Sequence, residues 1–285
     1  MNARTNPSIF ASPELYFATL LSGMRVPYVA SGAGEPVFFV HGSLCDYRYW
    51  NSQINVLSKQ FFCVSTSLSH YWPADDARTH SEFSWQAHVD ELAEFITAMN
   101  VGPVHLVGHS RGGAVAFQLA RQHPHLVKSL VLADPGGPLQ IDGMPEAVLP
   151  AATLAVRAKA AELIEQGDVE AGLEMFVDSV SMPGIWRKSS NNFRTMAIDN
   201  AATLPKQFRD PLPAYSRVAA GEVTCRTLLI NGEKSPRMYR DNIDKLVEWM
   251  PHAEQQTIAG ASHGMNVTNP AAFNRLIQAF VENQQ

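Results

Sequence analysis

Cysteine is scarce in this chain: Cys45, Cys63 and Cys225 are the only three in 285 residues, and no two form a Cys-x-x-Cys pair. An odd, widely spaced set argues against a disulfide framework and against a thiolate metal site, and leaves buried, reduced thiols in a cytoplasmic protein as the expectation. Charge is equally sparse. Charged residues make up 17% of the chain, with 22 Lys+Arg against 27 Asp+Glu for a net charge of -5, and no basic run tracks a phosphate backbone. Nucleic acid is therefore not an expected partner. No stretch is apolar for long enough to cross a bilayer, and the opening "MNARTNPSIFASPELYFATLLSG" is broken by polar residues and prolines where a leader peptide has an unbroken apolar region. A membrane is not an expected partner either. Repeats and low-complexity tracts are absent. His123 and His125 flank a proline with no clustered Asp, Glu or Cys, so neither a metal nor another cofactor is expected.

What is present is 46% hydrophobic residues arranged in short runs. A chain of this length buries about three quarters of its unfolded surface, enough for one large α/β domain or two small ones. The runs "LYFATLLSG", "RVPYVASG", "PVFFVHG", "FFCVSTSL", "VHLVGHS", "SLVLADP", "RTLLING" and "QQTIAG" are β-rich and end in turn residues. From the third onward most are separated by helical spacing: Val89, Leu92, Ile96 and Met99 share one face, as do Phe273, Leu276, Ile277, Phe280 and Val281 behind an Asn269-Pro270 start. Strands alternating with amphipathic helices predict an α/β fold, a mostly parallel eight-stranded sheet flanked by helices.

The alternation fails between about Gly137 and Ala219. Helical patterns run through 151–167 and 170–180, and no convincing strand appears. The expected organisation is an α/β core of residues 1–137 and 220–285, with a helical lid of residues 138–219 inserted after the sixth strand. Such a lid lies over the carboxyl edge of the sheet, where open α/β sheets bind ligands.

One segment carries chemistry. Gly108-His109-Ser110-Arg111-Gly112 fits Gly-x-Ser-x-Gly, between an apolar strand and a helical pattern. A strand that turns directly into a helix crowds the backbone around its turn residue, and flanking glycines relieve that crowding. The alternative is a glycine-rich turn with an idle serine. Serine is a weak nucleophile until a base takes its proton. Of the ten histidines, His263 lies in the glycine and serine loop "AGASHGMN" after the last strand, whereas His105 is within a strand and His123, His125 and His252 sit in polar connections.

From "VFFVHGSLCDYRYW" through "VGHSRGGAV" to "IAGASHGMNVTNPAAF", the chain resembles the α/β-hydrolase fold family over nearly its whole length. The resemblance implies Ser110 as nucleophile, His263 as base, and an oxyanion hole of the Ser43 and Arg111 main-chain N–H groups. It also implies an acid shortly after the seventh strand, where this chain has Ser235. A hydroxyl cannot offset an imidazolium charge. Two carboxylates remain: Glu233, two residues earlier, and Asp134 at the end of the sixth strand, a position some members of the fold use. Parallel neighbours bring their carboxyl ends to one edge, which favours Asp134 and leaves Glu233 as the alternative acid.

The expected activity is a serine hydrolase acting on carboxylic esters or lactones through an acyl-enzyme. A serine rather than an aspartate at this position argues against the dehalogenase and epoxide hydrolase branches. Carbon–carbon bond hydrolysis on the same residues, a lyase or cofactor-free oxygenase, and a ligand receptor are the alternatives. The expected partner is a small molecule of apolar or aromatic character. Phe176, Met182, Trp186, Phe193 and Met196 are available to line its pocket, and Arg187, Lys188 and Arg194 to meet a carboxylate.

Overall fold

Eight strands form one sheet in the order β1-β2-β4-β3-β5-β6-β9-β10. They are β1 (Leu15–Thr19), β2 (Arg25–Ser31), β3 (Pro36–Val40), β4 (Phe62–Thr66), β5 (Val104–His109), β6 (Val127–Ala133), β9 (Arg226–Gly232) and β10 (Ala253–Ile258). The computed structural model describes residues 14–73 and 82–283; residues 1–13, the first part of both the expected core and the stretch weighed as a leader, lie outside them. β2 is antiparallel to β1 and to β4, and every other neighbouring pair in the sheet is parallel. All eight strands coincide with the runs legible in the sequence.

Alternation along the central strands explains why both faces carry helices. In β3, Phe38 and Val40 point into one apolar cluster while Val37 and Phe39 point into another. β6 divides Leu130 and Leu132 from Val131 and Ala133 in the same way. Helices α2 (Trp85–Met99), α3 (Arg111–Gln122) and α10 (Arg237–Trp249) cover the first face through Val89, Leu92, Val115, Phe117, Ile243 and Leu246. α1 (Asn51–Leu57) and α12 (Pro270–Glu282) cover the second through Ile54, Leu57, Phe273 and Ile277. Ser84 caps α2 by accepting the Ala87 N–H. Asn269 occupies the corresponding place before α12, but its side chain makes no capping bond.

After β3 the chain steps to β4 on one side and then crosses to β5 on the other, so the order reverses between β3 and β5. At such a switch point the loops leave in opposite directions and open a crevice at the carboxyl ends. The registers Val40↔Gly108, His109↔Ala133, Ala133↔Ile230 and Gly232↔Ile258 keep those ends level, so residues far apart in sequence emerge side by side.

The interval between β6 and β9 is helical: α4 (Ala151–Glu165), α5 (Val169–Val180), α6 (Ile185–Lys188), α7 (Asn191–Asp199) and α8 (Thr203–Arg209). Ala160, Leu173, Phe176, Trp186, Ala197 and Leu204 form its own apolar cluster, and Leu44 from the loop after β3 completes it. Polar contacts fasten it to that same loop: Asn200 Nδ2 donates to Asp46 Oδ2 at 2.7 Å, and Arg48 pairs with Asp199 at 2.8 Å. The interval is not strand-free, as the sequence suggested. β7 (Leu139–Gln140) and β8 (Tyr215–Ser216) pair in parallel where it leaves and rejoins the core, followed by α9 (Arg217–Gly221). Two residues per strand are too few for a periodic signal. Among the described residues, no helix is long and apolar enough to cross a membrane. Cys45 and Cys63 are buried and Cys225 is partly exposed; all three are free thiols.

The start of α3 lies against the end of β3. A Cβ on Gly112 would come within 2.2 Å of the His41 carbonyl oxygen and 2.5 Å of the Val40 carbonyl oxygen. Gly112→Ala should therefore lower the free energy of unfolding by about 1 to 3 kcal/mol in urea titrations. Gly221→Ala, with nothing within 4 Å of the added carbon, should leave it unchanged or raise it by up to about 1 kcal/mol. Equal midpoints for the two variants would contradict this packing.

Candidate active site

Ser110 is the single residue between β5 and α3, and it takes φ 53° and ψ −122°. A left-handed φ is uncommon for a residue with a Cβ and costs of order 1–3 kcal/mol unless neighbours hold it. Here they do: the Ser110 N–H donates to Ala133 O at 3.0 Å, and its carbonyl accepts from Gly113 at 2.9 Å and Gly136 at 3.0 Å. Both flanking glycines are sterically required, since a Cβ on Gly108 would stand 2.5 Å from the Gly112 carbonyl oxygen. The turn after β3 closes on this elbow from the other side, where a Cβ on Gly42 would meet the Ser110 Cβ at 3.0 Å. Neither the Ser43 nor the Arg111 main-chain N–H donates to another described residue. The Arg111 side chain is engaged elsewhere, on Asp210 Oδ2 at 2.6 Å.

His263 lies in the loop between β10 and α11 (Met265–Thr268). Its Nδ1 is 3.1 Å from Asp134 Oδ2. The ring stacks on Tyr239, with centroids 4.0 Å apart and planes 20° apart, and contacts His109 at 4.5 Å on centroids. His109 Nε2 donates to the His263 carbonyl oxygen at 2.7 Å, which fixes the loop's backbone as well as its ring. Tyr239 and Ser110 line a common cavity beside the His263 ring. Ser110 and His263 line one cavity of about 300 Å³.

Asp134 follows β6 directly, with φ 41°, and is fully buried. Its N–H donates to Ile230 O at 2.9 Å, tying it to β9. Ser235 explains the departure from the family pattern. Its hydroxyl donates to Asp134 Oδ2 at 2.5 Å and accepts the Gly232 N–H at 3.1 Å, so the residue standing where an acid was expected supports the acid on the next strand. Glu233 points elsewhere: exposed, it accepts the Gly260 N–H at 2.7 Å.

Burial pushes the Asp134 carboxyl up, with the Ser235 hydroxyl opposing, and pushes the His263 imidazole down. A lowered imidazole is a free base at neutral pH, as proton acceptance requires. Cys45 also lines the cavity, but burial raises its thiol well above the ordinary range and removes it as a rival nucleophile.

The apolar cavity is lined by Phe176, Met182 and Phe193, as the sequence suggested, with exposed Lys188 at its edge. Trp186 is a correction: it is buried in the interior of the helical layer and lines no part of this cavity. A four-residue helix turns it inward, and the cavity receives its neighbours Met182 and Ile185 instead. Met196 likewise packs into the core. Arg187 pairs with Glu174 at 2.7 Å, and Arg194 lies over the Trp186 ring. Tyr239 and His109 were missed as site residues. The only sequence signal for either is position, His109 next to the serine and Tyr239 in the first turn after a sheet loop. Among the described residues no cluster of His, Cys, Asp and Glu could hold a metal ion.

A sheet of this order, with a serine at a strained elbow and a histidine on an aspartate at its carboxyl edge, defines an α/β-hydrolase architecture. A sequence model of the α/β-hydrolase fold family matches residues 35–270, and the chain belongs to that family. It is 24% identical over 264 residues to (E)-2-((N-methylformamido)methylene)succinate hydrolase of Acinetobacter baylyi, covering 90% of this chain and 93% of that protein. Among solved structures, an esterase from Exiguobacterium antarcticum superposes with a TM-score of 0.79 at 18% identity, covering 94% of this chain and 99% of that one. A bromoperoxidase from Bacillus anthracis does so with a TM-score of 0.79 at 20% identity, covering 95% and 100%. Likeness at that level establishes the shared fold.

Four buried histidines carry a consequence for stability. Burial lowers His88 and His263 well below the ordinary value, His109 to about 3 and His105 to about 4. The unfolded chain takes up these protons near pH 6.5 while the folded chain does not, so stability falls as pH drops below 6.5. Asp134, raised by burial, acts in the opposite sense but is one group against four. Each such histidine is worth about 2 kcal/mol between pH 6.5 and 5. Urea midpoints should fall between pH 7.5 and 5; a midpoint that holds or rises would contradict the buried neutral state.

Proposed function

We propose that this protein is a serine hydrolase that cleaves ester-type bonds through an acyl-enzyme. The observation that carries the reading is the Asp134–His263 contact at 3.1 Å beside a serine in the same cavity, with two main-chain N–H groups left unengaged nearby. Ser110 Oγ attacks the carbonyl carbon as His263 Nε2 takes its proton. The carbonyl oxygen gains the electron pair and meets the Ser43 and Arg111 N–H groups. Asp134 holds the ring with Nδ1 protonated, leaving Nε2 as acceptor, and offsets its positive charge once protonated. Collapse expels the alkoxide, which receives the proton from Nε2. Water then repeats the sequence on the acyl-enzyme and releases the acid.

The helices α4 to α8 act as a lid in this reading. They contribute Phe176, Met182 and Phe193 to the apolar cavity, which favours a small substrate with an apolar or aromatic substituent. The related succinate derivative hydrolase supports hydrolysis as the reaction type. The same groups serve lactones and the carbon–carbon bonds of diketone-type products, which a panel of aryl esters, lactones and diketones distinguishes by turnover. The likeness to a bromoperoxidase keeps non-hydrolytic chemistry as the second reading.

A fluorophosphonate probe should label wild type and fail on Ser110→Ala; an unlabelled wild type would overturn the hydrolase reading. Asp134→Asn should lower kcat by about 10⁴-fold on a turned-over ester, and Glu233→Gln by less than about threefold. The reverse ranking would transfer the acid role to Glu233.

A further inference from the structure

Ser110 stands where two cavities meet. Besides the apolar one, a cavity of about 850 Å³ reaches Ser43 and Ser110 from the side of α4, α8 and the loop after β6. Its lining includes two arginines in different circumstances. Arg111 is neutralised by Asp210 at 2.6 Å. Arg157, in α4, has no carboxylate within ion-pair range among the described residues, and its guanidinium lies over the Phe208 ring, 5.5 Å from the centroid. The charged and titratable groups that act on it are Tyr239 and Arg111. Glu146, the other carboxylate of this cavity, is exposed. Burial, and the Arg111 charge against it, push Arg157 below its ordinary value. Arg157 is half-buried, and a guanidinium only partly solvated and without a counterion gains from a carboxylate arriving as a fork-to-fork partner. Tyr239, whose ring stacks on His263, lines this cavity together with Arg157 and Ser110, so the cavity itself joins the guanidinium to the serine.

We propose that the 850 Å³ cavity binds a carboxylate on the substrate, with Arg157 as its anchor. The substrate is then a small anionic carbonyl compound, its apolar substituent in one cavity and its carboxylate in the other. The assignment of the scissile carbonyl rests on the serine hydrolase reading above; the carboxylate site does not. Lys188, exposed at the edge of the apolar cavity, is the competing cation.

Two pairs of esters test the kinetic side: monophenyl glutarate against phenyl valerate, and 3-acetoxybenzoate against phenyl acetate. Wild type should favour the anionic member of at least one pair by about tenfold or more in kcat/KM. Arg157→Met, which keeps an apolar stem beside Phe208, should lower kcat/KM for that member about 10- to 100-fold and change its neutral partner by less than about threefold. Arg157→Lys should recover part of the loss, and Lys188→Met should cause none. Equal losses for both members, no anionic preference, or a loss confined to Lys188→Met would overturn the proposal. Glutarate binding measured calorimetrically on Ser110→Ala protein decides the site without turnover. Binding that disappears in Ser110→Ala/Arg157→Met supports it, and no binding, or binding indifferent to Arg157, refutes it. Probe labelling of Ser110 with no glutarate binding defeats the carboxylate site alone; glutarate binding with no labelling defeats the hydrolase reading alone.

Discussion

The contact between Asp134 and His263 is the constraint around which the carboxyl edge of the sheet is arranged. The two residues are 129 positions apart and leave different strands, β6 and β10, with β9 between them. A polar contact across an intervening strand end needs level strand ends and a loop that leans back over the sheet. The parallel registers provide the first. Glu233 and His109 provide the second, one holding Gly260 and the other the His263 carbonyl. Ser235, in the turn that follows the middle strand, completes the bridge by donating to the same carboxylate oxygen that faces the imidazole. A fully buried carboxylate is tolerable only with such partners.

Two backbone positions carry strain for this arrangement, Ser110 and Asp134, both with positive φ although neither is glycine. They lie in register at the ends of adjacent strands and are held by bonds that cross between those ends: Ser110 N–H to Ala133, and Gly136 N–H back to Ser110. The elbow and the acid turn are thus one hydrogen-bonded unit, and the glycines at 108 and 112 are what allow the backbone around the elbow to approach so closely. In the proposed mechanism this rigidity has a chemical use, because a nucleophile, a base and two N–H donors work only if their relative positions survive substrate entry. The helical layer shares in the unit through the loop after β3, where Asp46 is bound to Asn200 and Leu44 belongs to the layer's own apolar cluster. Residues next to the proposed oxyanion donor Ser43 are therefore packed by the layer that shapes both cavities.

The sequence was most legible where a pattern repeats. All eight strands of the main sheet follow from apolar runs closed by turn residues, and α2 and α12 from their faces. The serine was legible because its glycines answer a local steric demand. What the sequence could not carry is spatial adjacency. Whether Glu233 or Asp134 faces His263 depends on strand order and side-chain direction, and Ser235 read as a vacancy because its partner lies 101 residues earlier. Trp186 shows the same gap in reverse: aromatic content suited it to a pocket, yet rotation of a short helix buried it among Leu173 and Ala197. Tyr239 had no signal beyond its position and Arg157 none, since each matters only through neighbours supplied by other parts of the chain.

The proposed chemistry depends on a proton held between Nδ1 of His263 and the Asp134 carboxylate. Low-field proton NMR of the native protein at neutral pH reads that proton directly. The expected result is one exchange-protected imidazole N–H resonance, shifted far downfield, that disappears in Asp134→Asn and persists in Glu233→Gln. A spectrum in which the resonance survives Asp134→Asn, or vanishes in Glu233→Gln alone, would contradict it.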